Sequence, residues 1–408
     1  MALLLRRCVR RATVAVAMSG GVDSAVAAVL LKRKGHDVVA IHMTNWSHEE
    51  EGINPCEGRR DEDIARAVCD KLKIEFRQIS FDREFWQLVF EDFLNGLRIG
   101  KTPNPDVLCN FHIKFSLFLR HCLDVQKCDL LATGHYAKFK HGHLLRGADH
   151  NIDQTYFLAQ VPKCCFERVL FPVGDMTKAE VRRIAQEEGL PNATKPSSTG
   201  LCFVGERDFS KFIRQYVKPD PGRFLDVDDQ PLDVPYHDGQ MFLTIGQRAR
   251  IGGLPEAVYV SFKRGKDVRV VPGRNHPDLY RESFTIEKPN WIAMSAKHKA
   301  SSKQGLECLL SIRYRSALGR CRVKEDLMGF TVEMIDLHRA VTPGQYAVFY
   351  DGDRVLGSGE IVALGPSLHK LGKPVPVASP DDFLGELIIT GDTPEDDRRR
   401  EQLLSHPF

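Results

Sequence analysis

The chain has 408 residues, 42% hydrophobic and 27% charged, with a formal net charge of +3. This length suggests two or three domains of ordinary globular composition. No run approaches the ~20 apolar residues that span a bilayer, so no membrane association is expected. So small a net charge leaves any nucleic-acid surface to local patches. Residues 1–12 carry Arg6, Arg7, Arg10 and Arg11, and no acid precedes Asp23. That pattern predicts a mitochondrial presequence over 1–12 and a mitochondrial location, the other reading being a basic arm beside the first strand.

Strand and helix patterns then alternate. Residues 14–18 read as a strand and 24–34 as a helix. Residues 38–43 are apolar on both faces, as a buried parallel strand would be. A helix over 61–72, a strand over 76–79, helices over 83–97 and 113–123, and a strand over 130–133 follow. Thr177 and Glu180 form a capping-box start for a helix ending before Gly189. Alternation of this kind implies an α/β fold, a doubly wound parallel sheet, with ligands at the carboxyl ends of its strands. From about residue 209 the pattern changes. After a helix over 208–217 and the linker Pro219-Asp220-Pro221-Gly222 come short strand-like runs. They cover 241–245, 258–262, 268–271, 284–286, 308–314, 331–334, 346–350, 354–357 and 361–364. Many short strands separated by turn residues suggest two smaller β-rich domains. The expected organisation is a presequence (1–12), a catalytic domain (13–208), a central β-rich domain (209–277), a C-terminal β-barrel (278–366) and a loosely ordered charged tail (367–408).

Eleven cysteines are scattered without a C-x-x-C pair. This weakens zinc-ribbon and thioredoxin-like readings and predicts no metal site. An odd count without a secretory signal points to a reducing compartment. Two cysteines differ from the rest in their surroundings. Cys109 follows Thr102-Pro103-Asn104-Pro105-Asp106, a stretch that reads as a stiff extended loop ahead of a helix starting near Ile113. A thiol before a helix N-terminus has a lowered pKa, and Asp106 is near enough in sequence to act as acid or base. Cys202 lies in the hydroxyl- and glycine-rich run 197–205. Taken alone, either cysteine is more often structural than catalytic.

The run Ser19-Gly20-Gly21-Val22-Asp23-Ser24 joins the first strand to the first helix. Strand, glycine turn and helix make a phosphate site. Gly20 and Gly21 can take φ > 0, Asp23 or Ser24 can cap the helix, and the helix N-terminus favours an anion. No Gly-Lys-[Ser/Thr] ends the run, so it is not a Walker A loop, and no Gly-x-Gly-x-x-Gly occurs in it. It resembles the PP-loop of the N-type ATP pyrophosphatases, which cleave ATP between the α- and β-phosphates.

Further strings extend the resemblance over nearly the whole chain. They are Ala17 to Ser24, Thr102 to Asp106 with Cys109-Asn110, Ala132 to Ala137, Asp153 to Leu158, Gly200 to Gly205, Thr244 to Arg248, Arg313 to Arg315, and Thr342 to Val348. Together they resemble the tRNA-specific 2-thiouridylases, mitochondrial type. The resemblance implies ATP binding by Ala17, Met18, Ser19, Gly20, Gly21, Val22, Asp23, Ser24, Met43 and Gly134, with Mg²⁺ expected beside the triphosphate. It implies a persulfide on Cys202, with Cys109 as its partner and Asp106 as acid or base. It implies that Asn104, Pro105 and Asp106 hold the target base. His135, Asp153, Gln154, Arg313, Tyr314 and Gln345 are the further tRNA candidates. The implied partners are tRNA and a sulfur donor, either a cysteine desulfurase or a sulfur-relay protein.

One departure stands out: the family usually has Lys-Asp-Gln where this chain has Ile152-Asp153-Gln154. Two rows of basic residues fit an RNA backbone. Arg248, Arg250, Lys263, Arg264, Lys266, Arg269 and Arg274 form one; Arg313, Arg315, Arg320 and Arg322 form the other. A solvated face is the commoner explanation for any one row. The expected activity is ATP-dependent 2-thiolation of the wobble uridine of mitochondrial tRNA. The competing readings are a PP-loop ligase acting on a small molecule and a non-catalytic RNA-binding or sulfur-carrier protein.

Overall fold

The computed structural model of the protein describes residues 11–46, 55–196, 200–201, 203–205, 207–327 and 329–375. Nearly all of the expected presequence, Cys202 and most of the charged tail lie outside the described residues. The chain divides into two compact units. One comprises Met1–Phe85, Phe111–Thr155 and Pro162–Ser198; the other comprises Trp86–Asn110, Tyr156–Val161 and Thr199–Phe408.

The first unit is built on strands β1 (Thr13–Ala17), β2 (Asp37–Thr44), β3 (Glu75–Ser80), β4 (Leu130–Ala132) and β7 (Val169–Leu170). They form one parallel sheet in the order β3-β2-β1-β4-β7. The fold is therefore α/β, as the alternation predicts. Val14, Ala15 and Val16 of β1 are fully buried, as a central strand covered on both faces must be. Helix α1 (Val22–Arg33) follows β1 directly. Its Ala25, Ala27 and Ala28 have no exposed surface, because small side chains let the helix approach its neighbours closely. It packs with Ala65, Val68 and Cys69 of α2 (Pro55–Leu72) and with Val181, Ile184 and Ala185 of the helix Lys178–Glu187. That last helix begins with the expected capping box, Thr177 and Glu180 bonding each other's backbone.

A hairpin of β5 (Ala137–Lys140) and β6 (His143–Arg146) escapes sequence reading. Its turn is His141-Gly142, with φ of 52° and 72°. The two positive angles match the hairpin turn that Asn-Gly usually marks, and histidine hides the signal.

In the second unit, β8 (Phe224–Leu225), β9 (Val258–Arg264) and β10 (Asp267–Pro272) form a three-stranded sheet over Phe224, Val260, Val268 and Val270. Beyond it, β11 (Ser283–Ile286), β13 (Leu306–Ser311), β14 (Gly319–Asp326), β15 (Gly329–Met334), β16 (Tyr346–Asp351) and β17 (Arg354–Leu364) pair in the order β11-β15-β14-β13-β16-β17. β17 returns to β11, which closes a six-stranded barrel. The short β12 (Asn290–Trp291) adds to β17.

Three expectations for this half need correction. Residues 241–245 form no strand: Gln240–Phe242 is a 3-10 turn. The runs 354–357 and 361–364 are one strand, bulged where Phe349 and Tyr350 of β16 shift register. β14 and the helix Met294–Ala300 were not anticipated. β14 is too charged for alternation alone to mark it, since it holds Arg320, Arg322, Lys324, Glu325 and Asp326 on and beside its outward face. Among the described residues no helix is long and apolar enough to cross a membrane.

Candidate active site

The glycine turn sits at the carboxyl end of β1. The chain crosses from β1 to β2 on one side, and β4 lies on the other, so this is the point where strand order reverses and open α/β sheets bind ligands. Gly20 has φ of +78°, and a Cβ there would lie 2.4 Å from the Asp61 carbonyl oxygen. Only glycine fits. Gly21 is different: its φ is −79°, and it is the N-cap of α1. Neither Asp23 nor Ser24 caps the helix, contrary to expectation. The cap has no side chain, so the first-turn N–H groups are left to face an anion, where the helix dipole also favours negative charge.

The serines brace the turn instead. Ser24 Oγ accepts from Ser19 N at 3.3 Å and donates to Gly21 O at 3.0 Å, while Ser19 Oγ accepts from Gly21 N at 3.3 Å. Buried Asn192 donates to Gly20 O at 3.0 Å. Ala17 ends β1, Met18 is buried with its N–H on Ile41 O, and Val22 is buried as the first residue of α1. Met43 lies at the carboxyl end of neighbouring β2. Gly134 follows β4, and a Cβ there would lie 2.8 Å from the Ser24 nitrogen. The second close approach explains this glycine as the first explains Gly20.

Asp23 serves as a charged anchor. Lys178 Nζ reaches its two carboxylate oxygens at 2.7 and 2.8 Å, and Tyr136 Oη donates to Oδ1 at 2.7 Å. Burial and the Asp23 charge push the Tyr136 hydroxyl's pKa far up, so it remains a donor. Sequence reasoning missed Lys178. The signal was its place at the start of a capped helix, which gave no hint of its target 155 positions away. Lys195 adds a second ammonium, paired at 2.5 Å with Asp61, whose carbonyl flanks Gly20.

Asp153 and Gln154 support this network. Asp153 accepts from Gly147 N, Thr155 N, Thr155 Oγ1 and Arg146 Nε. Gln154 Oε1 accepts from Tyr136 N, and its own N–H donates to Tyr136 O. Gln154 therefore holds Tyr136, and Tyr136 holds Asp23, while Asp153 fixes the chain on either side through Gly147 and Thr155. Ile152, the departure from the family pattern, packs its side chain against the apolar core beneath α1. His135 Nδ1 lies 2.8 Å from Thr133 Oγ1. Burial, with a lesser push from Lys114, lowers its pKa to about 3, so it is a neutral hydrogen-bonding group at physiological pH.

The second unit holds the Cys109 segment. Here the two prolines act differently from the extended loop predicted. Pro105 is the first residue of a helix, and Asn104 caps it by accepting from Val107 N at 3.3 Å. Helical backbone continues through Cys109–Phe118, so Cys109 lies a full turn inside the helix and is buried, 3% exposed. Asp106 is in the first helical turn, where a carboxylate suits the dipole, and Asn110 Nδ2 donates to its carbonyl at 2.9 Å.

Gln345 ties this segment to the barrel. Its Nε2 donates to Thr102 O at 2.8 Å; its Oε1 accepts from Asn104 Nδ2 at 3.4 Å and from Tyr156 Oη at 3.3 Å. Tyr314 packs against Phe157 with the rings tilted by 46° and centroids 4.4 Å apart, and Arg313 donates to Arg339 O at 3.0 Å. Asn104, Gln345 and, through Tyr156-Phe157, Tyr314 are thus brought together. Cys202 itself lies outside the described residues. Its neighbour Phe203 is buried among Phe90, Phe93 and Phe212 at centroid distances of 5.4–5.8 Å.

Four residues of the two basic rows are internally paired. Arg269 is buried on Asp229 and Asp278, Arg264 meets Asp229, Arg320 meets Asp336, and Arg322 meets Glu307. Of these four arginines only Arg269 is buried; Arg264 and Arg320 are exposed, and Arg322 is half-buried. Among the described residues no cluster of three His, Cys, Asp or Glu side chains could hold a metal.

Comparison with known proteins accounts for this arrangement. The family described as the tRNA methyl transferase HUP domain matches residues 12–206. The tRNA methyl transferase PRC-barrel domain matches 210–273, and the aminomethyltransferase beta-barrel domain 281–361. Mitochondrial tRNA-specific 2-thiouridylase 1 of Gallus gallus is 40% identical over 398 residues, covering 88% of this chain and 93% of that one. The Homo sapiens protein of the same name is 41% identical over 392 residues, covering 88% and 92%. The tRNA-specific 2-thiouridylase MnmA of Hahella chejuensis is 42% identical over 364 residues, covering 86% and 98%. The chain belongs to the tRNA-specific 2-thiouridylase family. The three domain matches follow the change of architecture from parallel sheet to small sheet to barrel.

Proposed function

We propose that this protein is a tRNA sulfurtransferase that converts the wobble uridine of mitochondrial tRNAs to 2-thiouridine at the expense of ATP. Family membership supports the reaction class. The observation that carries the reading to residues is the uncapped α1 N-terminus at Gly21, beside a turn only glycine can make at Gly20.

That cradle fits a phosphate chain: backbone N–H donors at an N-cap without a side chain, and two ammonium groups on Asp23 and Asp61. Ser19, Gly20, Gly21, Val22 and Ser24 would surround the phosphates, with Ala17, Met18, Met43 and Gly134 lining the approach. ATP bound there would supply AMP to uridine O2 as the α–β phosphoanhydride bond breaks and pyrophosphate leaves, which turns a poor leaving group into a good one; Mg²⁺ arriving with the nucleotide would offset its charge. Asp23 fixes Lys178 and the first turn of α1 so that neither reorganises when an anion arrives. Asn104, Pro105 and Asp106 position the base, and Gln345, Arg313, Tyr314 and His135 add contacts to the tRNA. Asp106 moves the proton.

Cys202 carries sulfane sulfur, received from a cysteine desulfurase or sulfur-relay protein. The terminal sulfur bonds to C2 as the C2–O2 bond to AMP breaks. The Cys109 thiolate then attacks the bridging Cys202 sulfur. The S–S bond of the persulfide breaks, the thiocarbonyl stays on the base, and a Cys109–Cys202 disulfide remains. Gln154 acts at one remove, through Tyr136, and Asp153 through the Gly147 and Thr155 backbone that it holds.

ATP–pyrophosphate exchange tests the reading. Exchange that requires tRNA is expected. Exchange with a small acceptor and no tRNA would establish the ligase alternative, and no exchange at all would establish a carrier. The location is tested by fusing residues 1–25 to a reporter, which is expected to enter mitochondria.

A further inference from the structure

The barrel carries a cysteine pair that the proposed reaction does not use. Cys308 on β13 and Cys321 on β14 are direct partners in the antiparallel register. Their Sγ atoms lie 3.6 Å apart in a thiol–thiol contact. Both side chains belong to the barrel interior: Cys321 is fully buried, and Cys308 is half-buried at the edge of the same core. Directly opposed residues of antiparallel strands have Cα atoms about 4.5–5.5 Å apart, inside the roughly 4.4–6.8 Å span that a disulfide accepts. Both are free thiols here. Closing the gap to a sulfur–sulfur bond needs side-chain rotation and no separation of the strands.

We propose that Cys308 and Cys321 are an oxidation-sensitive dithiol that hydrogen peroxide converts to a cross-strand disulfide stapling β13 to β14. The half-exposed Cys308 reacts first. Its sulfur attacks one peroxide oxygen, the O–O bond breaks, and the other oxygen leaves as water, giving a sulfenic acid. The Cys321 sulfur then attacks the Cys308 sulfur, the S–O bond breaks, and a second water leaves. Two thiols lose two electrons and peroxide gains them. Cys321 suits the resolving role: its bond to Cys308 and its burial hold the thiol well above the usual range, so it stays protonated until a partner sulfur is oxidised.

The two cysteines are 13 positions apart, and the segment between them carries Arg313, Tyr314 and Arg315. The staple therefore fixes both ends of the loop assigned above to tRNA. That consequence rests on the proposed function; formation of the disulfide does not.

The test treats the reduced full-length protein with hydrogen peroxide, alkylates it, digests it without reductant and maps the peptides. A Cys308–Cys321 peptide pair, lighter than the two thiols by two hydrogens, is expected. The unfolding temperature is expected to rise by roughly 5 °C, reversed by dithiothreitol and absent in Cys321→Ser. Recovery of both residues as alkylated thiols overturns the proposal. So does Cys308 recovered as a sulfinic acid or joined to another cysteine while Cys321 remains a thiol. The wild-type map needs no variant to fold. Binding of tRNA to a Cys109→Ser/Cys202→Ser protein, reduced and oxidised, is expected to differ severalfold. A disulfide that forms without changing binding overturns the role of the loop and leaves the dithiol standing.

Discussion

The glycine turn of the first unit and the Cys109 segment of the second are both short runs at a helix start, the one rich in Gly and Ser and the other in Pro and Asn, and they work in opposite ways. At the turn, the side chains are spent on structure, and the proposed function leaves the backbone to bind phosphate. Gly20 bends the chain, Ser19 and Ser24 brace it, Asp23 is neutralised by Lys178 and Tyr136, and the N–H groups of α1 go uncapped. At Cys109, the backbone is closed into helix from Pro105 onward, capped by Asn104, and only side chains are left to act. A phosphate needs many weak donors in a fixed cradle. Sulfur chemistry needs one nucleophile held still. A glycine at the N-cap therefore leaves the helix end open in one unit, and an asparagine there closes it in the other.

The largest effect that can break this contrast is on turnover. Asp23→Ala is expected to abolish thiolation, by at least roughly 10²-fold, while leaving the fold intact, because Asp23 is partly exposed. Lys178→Met should match it if the pair acts as one anchor. Pyrophosphate exchange measured on both variants checks this; normal exchange in either would detach the anchor from the turn. Cys109→Ser should keep tRNA-dependent exchange and lose sulfur transfer, leaving the persulfide loaded on Cys202. Persulfide-specific labelling with peptide mapping reads it. Robust sulfur transfer by Cys109→Ser would return Cys109 to a packing role. Cys69 and Cys122, whose burial pushes their pKa up to about 12, serve as inert controls.

The next effect is on stability. Phe203 sits beside Cys202 among Phe90, Phe93 and Phe212. Phe203→Ala should cost about 3–5 kcal/mol and uncouple sulfur transfer from adenylation by releasing the segment that holds Cys202. Denaturant unfolding and sulfur quantification, run side by side, measure both losses. A variant that is destabilised but transfers sulfur normally would confine Phe203 to the core.

Acid should act on the second unit through His338. Burial, and secondarily the Arg313 charge, push its pKa down to about 4. The unfolded value is about 6.5, so the unfolded chain binds more protons between the two values. The contribution is complete above pH ~6.5 and is lost as pH falls toward 4, amounting to about 3 kcal/mol. His338→Leu should flatten that part of the pH–stability curve. An unchanged slope between pH 6.5 and 4 would show that His338 protonates freely in the folded state.

The first unit was the more legible in sequence, and the reason is local. Its strands alternate with helices in chain order, and the Gly20 turn, the Thr177 capping box and Gly134 are rules of backbone geometry that a few adjacent residues state. What stayed hidden was long-range: Lys178 on Asp23, Asn192 on Gly20, and Gln154 on Tyr136 join residues that no spacing connects. Cys109 was misplaced because prolines signal an extended chain and also begin helices; the Asn104 cap decides between them. A count of arginines likewise does not reveal Asp229, Asp336 or Glu307, which pair with Arg269, Arg320 and Arg322 of the basic rows. Family strings found Asn104 and Gln345, but their meeting depends on barrel closure, which spans the whole second half.

The smallest effects separate the two regions most finely, because each has its own helix cap. Thr177 and Asn104 each accept one backbone N–H, from Glu180 and Val107 respectively. Removing either acceptor should cost about 1 kcal/mol. Thr177→Ala loses a cap at an exposed helix end whose box also involves Glu180, so stability should fall slightly and turnover hardly change. Asn104→Ala loses the same kind of cap and also the contact to Gln345 Oε1. It should therefore lower kcat/KM for tRNA well beyond its stability cost, with exchange of ATP and pyrophosphate failing as tRNA is lost. Asn104→Asp keeps the capping oxygen and removes the amide donor. If it restores stability without restoring turnover, the cap and the base contact are separate functions of one side chain. If it restores both, Asn104 acts through the helix start alone, and the Cys109 segment is positioned by its backbone, as the glycine turn is.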